Sequence, residues 1–294
     1  MKVLVTGGTG FIGPKVVHAL RARDHAVRAV VRDPGRAKQL ASWGCELETG
    51  DVTDAASLRA AAEGCQAVVH LVSIIKGSPE DFDRVMVGGT ENAIDAATAA
   101  GAARFVLMSA LGVNEQNREL VPYFRSKWQM EQSLAASGLE GVVFRPSFVF
   151  GDDGGVLPMF VRQVRLAPLT PVVGDGKSRL QPIWVDDVAE FFARAVDAPT
   201  GGTFEIGGPE AVDWNEFYDR VKRVLGKRRG TVHLPVGLVR VGATVLEKLP
   251  GAPITRDQLT MLTEGGDNVC DNGPALAAFD VELVGLDEQI RRAS

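Results

Sequence analysis

Through its first half the chain alternates short apolar, β-branched runs with longer stretches whose apolar positions recur at helical spacing. Val3-Val5, Val27-Val31, Glu46-Thr49, Val68-Val72, Phe105-Met108 and Val142-Phe144 read as strands. The segments between them read as helices, the first running from Phe11 to Ala22. Strands that are apolar throughout are buried on both faces, as in a parallel sheet covered by helices. The pattern therefore predicts an α/β chain, a doubly wound parallel-sheet Rossmann fold over residues 1–150 with a smaller C-terminal substrate lobe over 151–294. The rhythm breaks after Phe150, at Gly151-Asp152-Asp153-Gly154-Gly155 and around Pro158, Pro168 and Pro171. Ile183-Trp184-Val185, a helix over Asp186-Ala198 and a strand over Thr203-Ile206 read as a return, so that 178–206 rejoins the first sheet. Val236-Leu249 reads as an apolar helix with Arg240, Glu247 and Lys248 as its only charges. At 14 residues it is too short to span a bilayer and fits a core helix, with an interfacial or partner-binding face as the alternative.

Composition narrows the class without naming a function. Hydrophobic residues make up 45% and charged residues 23% of the 294, which excludes disordered and fibrous chains. A net charge of -5, with no Lys/Arg-rich block able to neutralise a run of phosphates, argues against nucleic acid as a partner. The start, Met1-Lys2-Val3-Leu4-Val5, is too short an apolar stretch for a signal peptide. Cys45, Cys65 and Cys270 are odd in number and far apart, which suits a reducing, cytoplasmic setting. His18, His25, His70 and His233 show no ligand spacing, so no metal site is expected.

Candidate chemistry starts at Thr6-Gly7-Gly8-Thr9-Gly10-Phe11-Ile12-Gly13, a glycine-rich turn directly between an apolar strand and a helix. In that context the amides opening the helix face where a dinucleotide's pyrophosphate sits. Gly7 permits the tight turn, Gly10 the close approach of backbone to phosphate, and Gly13 the packing of helix on sheet. At the end of the second strand, where an NAD enzyme places an acid for the ribose hydroxyl, the chain reads Val30-Val31-Arg32-Asp33. An arginine there suits a 2′-phosphate and favours NADP(H), with NAD(H) as the alternative if Asp33 does the acid's work. Asp51 and Val52 are placed for the adenine edge, and Leu71 and Val72 close the fourth strand beside the cofactor.

Taken together these residues resemble the extended short-chain dehydrogenase/reductase family, the NAD-dependent epimerase/dehydratase type. The likeness extends over essentially the whole chain. It is carried also by Gly89-Thr90-Glu91-Asn92, Tyr123-x-x-x-Lys127, Arg145-Pro146-Ser147-Phe148-Val149-Phe150-Gly151 and Val185-Asp186-Asp187-Val188-Ala189. Gly174-Asp175-Gly176-Lys177 and the stretch Leu249-Pro250 to Leu262 resemble an atypical branch that includes the complex I alpha-subcomplex accessory subunit and its bacterial relatives. The resemblance implies that Tyr123 is the general acid/base, that Lys127 lowers its pKa and holds the nicotinamide ribose, and that Pro146 lies in the cofactor site. Spacing of four puts Tyr123 and Lys127 on one helix face. The family's substrate-binding Ser or Thr falls at Ala110, with Ser109 one residue early, either its substitute through a local shift or a hydroxyl that only satisfies the strand end, and the family's relay Asn falls at Met86. Family members often pair through the helix that bears the tyrosine and lysine, which makes a homodimer or larger-complex partner an expectation.

Following the same alignment, Ile74, Ile75, Phe148, Phe150, Leu157, Met159, Phe160, Ile183 and Trp184 line an apolar pocket suited to an aromatic or isoprenoid, quinone-like substrate. Arg162, Arg165 and Arg179 are the candidate cations for a sugar diphosphate. Three functions follow: an NADP(H)-dependent oxidoreductase of a small apolar substrate, a non-catalytic NADPH-binding sensing or assembly protein of the complex I accessory type, and a nucleotide-sugar epimerase or dehydratase.

Overall fold

The computed structural model describes residues 1–246 and 255–294. Seven strands, β1 (Lys2–Thr6), β2 (Ala26–Val31), β3 (Glu46–Thr49), β4 (Ala67–His70), β5 (Arg104–Met108), β6 (Glu140–Pro146) and β7 (Gly202–Ile206), form one sheet. Their order is β7-β6-β5-β4-β1-β2-β3 and every pair is parallel. The order reverses between β1 and β4, which opens a crevice outside the carboxyl ends of those strands.

Side chains alternate between the faces of the sheet. Val3, Val5, Val69, Val106 and Phe144 point to one side, where α1 (Gly13–Ala22) packs. Leu4, Val68, Phe105 and Leu107 point to the other, under α3 (Ala55–Ala62), α4 (Gly89–Ala99) and α5 (Pro122–Ala136), while the short α2 (Lys38–Ser42) packs through Leu40 on the α1 side. A seven-residue π segment, Phe82–Gly88, leads into α4.

Beyond β6, α6 (Leu157–Leu166) precedes α7 (Val185–Asp197), which lies on the α1 side of the sheet. A second core forms around Phe160, Trp214, Phe217 and Tyr218, where α6 meets α8 (Trp214–Val224). Leu169–Val173 pairs in parallel with Gly230–Leu234 beside it. The chain continues as α9 (Val236–Leu246), α10 (Arg256–Glu264), α11 (Gly273–Phe279) and α12 (Leu286–Arg292). Phe279 of α11 packs back on the sheet, against Phe144, Phe191 and Phe204.

Several boundaries differ from the sequence reading for identifiable reasons. The first helix starts at Gly13, not Phe11, because Pro14 lacks an N–H and fits only the opening turn. The fourth strand ends at His70, not Val72, since Leu71 and Val72 turn across Gly7. Ile183–Trp184 bonds to Val149–Phe150 and stays outside the central sheet; β7 alone rejoins it, beside β6. Residues 247–249 of the apolar helix, and the part of the Leu249-to-Leu262 stretch before residue 255, lie outside the described residues. Among the described residues no helix is long and apolar enough to cross a membrane.

Candidate active site

Loops at the carboxyl ends of β1 to β4 frame the crevice. In the turn after β1, Gly7 has φ +77, and a Cβ there would come within 3.0 Å of the Leu71 carbonyl carbon. Gly13 is tighter, since its Cβ would lie 2.3 Å from the Gly7 oxygen. Its closest packing is therefore on the glycine turn itself, more intimate than the helix-to-sheet contact expected. Gly10 is different: a Cβ there would meet only the Gly7 oxygen, at 3.4 Å, and the residue is exposed. The chain's own packing does not require glycine at 10, whereas close approach of an outside group to this backbone does. Phe11 is seated on the turn after β6: Cβ atoms added to Gly151 and Gly154 would come within 2.7 and 2.3 Å of its ring. Ile12 caps α1 through its backbone.

Below the turn a buried polar chain fixes the strand ends. Thr90 donates to the Met86 carbonyl at 2.6 Å, so its oxygen accepts from His70 Nε2 at 3.1 Å. His70 Nδ1 is then the acceptor for the Thr6 hydroxyl, 2.7 Å away. Burial, with Lys127 nearby, pushes the His70 pKa down to about 3, so the ring is a neutral strut linking β1, β4 and α4. The Gly89-to-Asn92 motif serves the next loop. Asn92 donates to the Val52 carbonyl at 2.9 Å, and Gly89 sits where a Cβ would fall 2.9 Å from the Val52 side chain. Asp51 accepts from the Thr53 amide and hydroxyl at 2.9 and 2.7 Å, which hold its pKa below the usual carboxylate range. Arg32 is exposed and makes no ion pair among the described residues. Asp33 spends one carboxylate oxygen capping its own turn, on the Gly35 amide at 2.9 Å.

Across the crevice α5 brings up Tyr123 and Lys127. Lys127 is fully buried, its Nζ 2.6 Å from the Met108 carbonyl at the end of β5 and 5.8 Å from the Tyr123 ring centre. Burial drives its pKa down to about 7, against the pull of Glu131 one turn further on. Burial likewise raises the Tyr123 phenol, with the neighbouring Ser73 hydroxyl pulling the other way. Ser73 Oγ is shielded from solvent, with the Tyr123 phenol beside it.

Comparison with known proteins bears on the family and the fold. The family model described as NAD(P)H-binding matches residues 7–199. The chain is 31% identical over 248 residues to a ceramide reductase from Caulobacter vibrioides, covering 83% of this chain and 77% of that one. It is 27% identical over 270 residues to a 4-hydroxy-2-methyl-3-oxo-4-farnesyl-3,4-dihydroquinoline-1-oxide ketoreductase from Stigmatella aurantiaca, covering 85% and 80%. Among solved structures, an NADPH-dependent quinone oxidoreductase from Escherichia coli, complexed with NADPH, superposes with a TM-score of 0.79 at 20% identity over 98% of both chains. The chain belongs to the NAD(P)H-binding, extended short-chain dehydrogenase/reductase family.

Within this reductase-like fold some expected site residues do not converge. Ser109 is buried and donates its hydroxyl to Glu131, which also takes a bidentate pair from Arg145 at 3.0 and 2.6 Å. Ala110, on the Tyr123 side, packs in the same apolar cluster as that ring. Adjacent residues of an extended chain face opposite ways, so the serine cannot replace its neighbour without a register shift. Met86 is sealed in the core. Pro146 is buried at the end of β6, its carbonyl taken by the Leu111 amide at 2.9 Å.

Most of the predicted apolar lining is either core or exposed. Phe150, Leu157, Ile183 and Trp184 are core, and so is Phe160, while Ile75 and Met159 are exposed. Ile74 and Phe148 are the half-buried members. Ser73 and Glu131 are the residues that sequence reasoning missed. A serine between Val72 and Ile74 carries no signal, whereas the spacing Tyr123, Lys127, Glu131 along one helix face was there to be read.

Proposed function

We propose that this protein is an NADP(H)-dependent reductase of an apolar carbonyl or quinone-like substrate. The observation that carries the reading is a phenol raised in pKa, Tyr123, beside a fully buried lysine at the carboxyl edge of the sheet. A tyrosine that stays protonated through neutral pH is a proton donor, which is what reduction of a carbonyl requires.

The glycine turn at Gly7, Gly10 and Gly13 would hold the pyrophosphate, Arg32 the 2′-phosphate, Asp51 and Val52 the adenine, and Leu71, Val72 and Lys127 the nicotinamide half. The open backbone at Gly10 supports the first of these, and the unpaired Arg32, beside an Asp33 engaged with its own turn, supports the second. Bound there, the cofactor supplies the hydride. Tyr123 gives its proton to the substrate oxygen as negative charge develops on it, and Lys127, held on the Met108 carbonyl, steadies the resulting phenolate. Ser73, beside the phenol, takes the place of the missing serine: its hydroxyl donates to the same oxygen. Half-buried Ile74 and Phe148 make the walls apolar. The names ceramide reductase and ketoreductase among the relatives support that direction of reaction.

Ala110 and the core position of Met86 favour a second reading, a protein that binds NADPH without turning it over. An epimerase is disfavoured, because two of the three candidate cations, Arg162 and Arg165, line a separate groove with Pro158, Val161, Leu166 and Ala293. The test is NADPH oxidation followed by absorbance with a long-chain ketone, a short-chain quinone and a uridine diphosphate sugar. Consumption with the first two supports the reductase, and tight NADPH binding with no consumption supports the second reading. Reaction with the sugar nucleotide alone overturns the apolar-substrate assignment.

A further inference from the structure

Acids outnumber bases in the chain, 37 to 32, yet no Asp or Glu occurs between Gly154 and Gly174 or between Arg220 and Leu246. The fold brings these two acid-free segments together. Leu169–Val173 pairs with Gly230–Leu234, and Arg229 Nη2 donates to the Arg165 carbonyl at 2.9 Å. Lys227-Arg228-Arg229, too short to read as a basic block by itself, is thereby joined to Arg165 and Arg162 of α6. Arg162, Arg165, Lys227 and Arg228 are exposed, and among the described residues none of their side chains has an ion pair or hydrogen bond. Arg229 Nε is shielded and has no partner.

Apolar side chains are interleaved with these cations. Leu166 is 68% exposed, Leu169 49% and Met159 41%. A groove of about 370 Å³ runs beside them, lined by Pro158, Val161, Arg162, Arg165, Leu166 and Ala293. None of the large apolar residues exposed on the described surface is aromatic. Single-stranded nucleic acid is gripped by aromatic stacking, whereas aliphatic side chains among unpaired cations match the interface of an anionic bilayer.

We propose that this face, built from α6, the Lys227-to-Arg229 loop and the start of the paired strands, docks the protein on anionic phospholipid. The guanidiniums of Arg162, Arg165 and Arg228 and the Lys227 ammonium meet the headgroup phosphates, while Leu166, Leu169 and Met159 enter the acyl boundary. The docking is independent of the reductase reading and is tested without cofactor. The full chain is sedimented with vesicles of phosphatidylcholine, and with vesicles containing about 30% phosphatidylglycerol, at low and high salt. Binding to the anionic vesicles alone, weakened by salt, is expected. Removing a cation costs about five-fold in vesicle affinity, so Arg165→Glu with Arg228→Glu should lose about 25-fold or more. Leu166→Asn, which alters no charge, should weaken binding at unchanged net basicity of the rim. Lys227→Gln with Arg228→Gln, confined to the loop, provides a milder variant whose melting temperature should match the unaltered protein. Equal binding to both vesicle types, no binding to either, undiminished binding by the variants, or capture of a DNA or RNA duplex in preference to the vesicles would each overturn the proposal.

Discussion

Replacing Gly10 by Ala separates what the glycine turn does for the fold from what it does for the cofactor. The new methyl would meet only the Gly7 oxygen, at 3.4 Å, and lies on an exposed backbone outside the left-handed region. Folding should therefore be unharmed, and the stiffer unfolded chain should add about 0.4–1 kcal/mol of stability. Cofactor binding has no such tolerance, because the methyl stands where the pyrophosphate approaches the backbone. Loss of one charge-assisted hydrogen bond, about 1.5–3 kcal/mol, corresponds to roughly 10- to 150-fold weaker NADPH binding. Gly13→Ala is the contrast: its methyl would sit 2.3 Å from the Gly7 oxygen and 2.5 Å from the Gly8 carbonyl carbon, so stability and binding should fall together. Thermal melting and calorimetric titration with NADPH on the same samples read both quantities. A Gly10→Ala protein that binds NADPH as tightly as the unaltered chain would refute the assignment of this turn.

Arg32→Ala should weaken NADPH binding about ten-fold and leave NADH binding unchanged, since only the 2′-phosphate uses the guanidinium; titration with both cofactors reads the difference. Ser73→Ala should lower kcat about a hundred-fold through a lost transition-state hydrogen bond. The same change should cost no more than about 0.5–1.5 kcal/mol of stability, the worth of one hydrogen bond to the Tyr123 phenol, so the melting temperature moves little. Asp187 is buried, and burial raises its pKa to about 7, above the ~3.9 of an unfolded chain. Its folded form binds the extra proton between those values, so stability falls as pH rises from about 4 through 7, by at most ~4 kcal/mol. Asp187→Asn should remove that loss, raising the melting temperature at pH 8 and changing it little near the bottom of that window, while the amide oxygen still accepts from the Val284 amide.

The elements that position the site were legible because each is local. Strands apolar on both faces announced a covered parallel sheet, and the glycine turn between strand and helix announced the crevice. Tyr123 and Lys127 lie together because a spacing of four does that on any helix. What could not be read depends on where distant segments land. Asn268 accepts from the Ser147 hydroxyl at 2.6 Å and the Phe148 amide at 3.1 Å, joining the end of β6 to a residue 121 positions on from Ser147. Ser73 becomes a site residue only because α5 sets Tyr123 beside it. Ser109 shows how narrow the margin is: the alignment put a hydroxyl one residue early, and in extended chain one residue is a reversal of direction, toward Glu131 and Arg145. The basic face was hidden for the same reason, its cations being split between two segments about sixty residues apart in sequence.

Turnover by Tyr123→Phe, measured as NADPH oxidation with a reducible apolar ketone or quinone alongside NADPH affinity by calorimetry, tests the central claim most directly. The account predicts unchanged affinity and a loss of turnover of at least a hundred-fold, since the proton donor is gone and the cradle is intact. A Tyr123→Phe protein that consumes NADPH at the rate of the unaltered chain would contradict it.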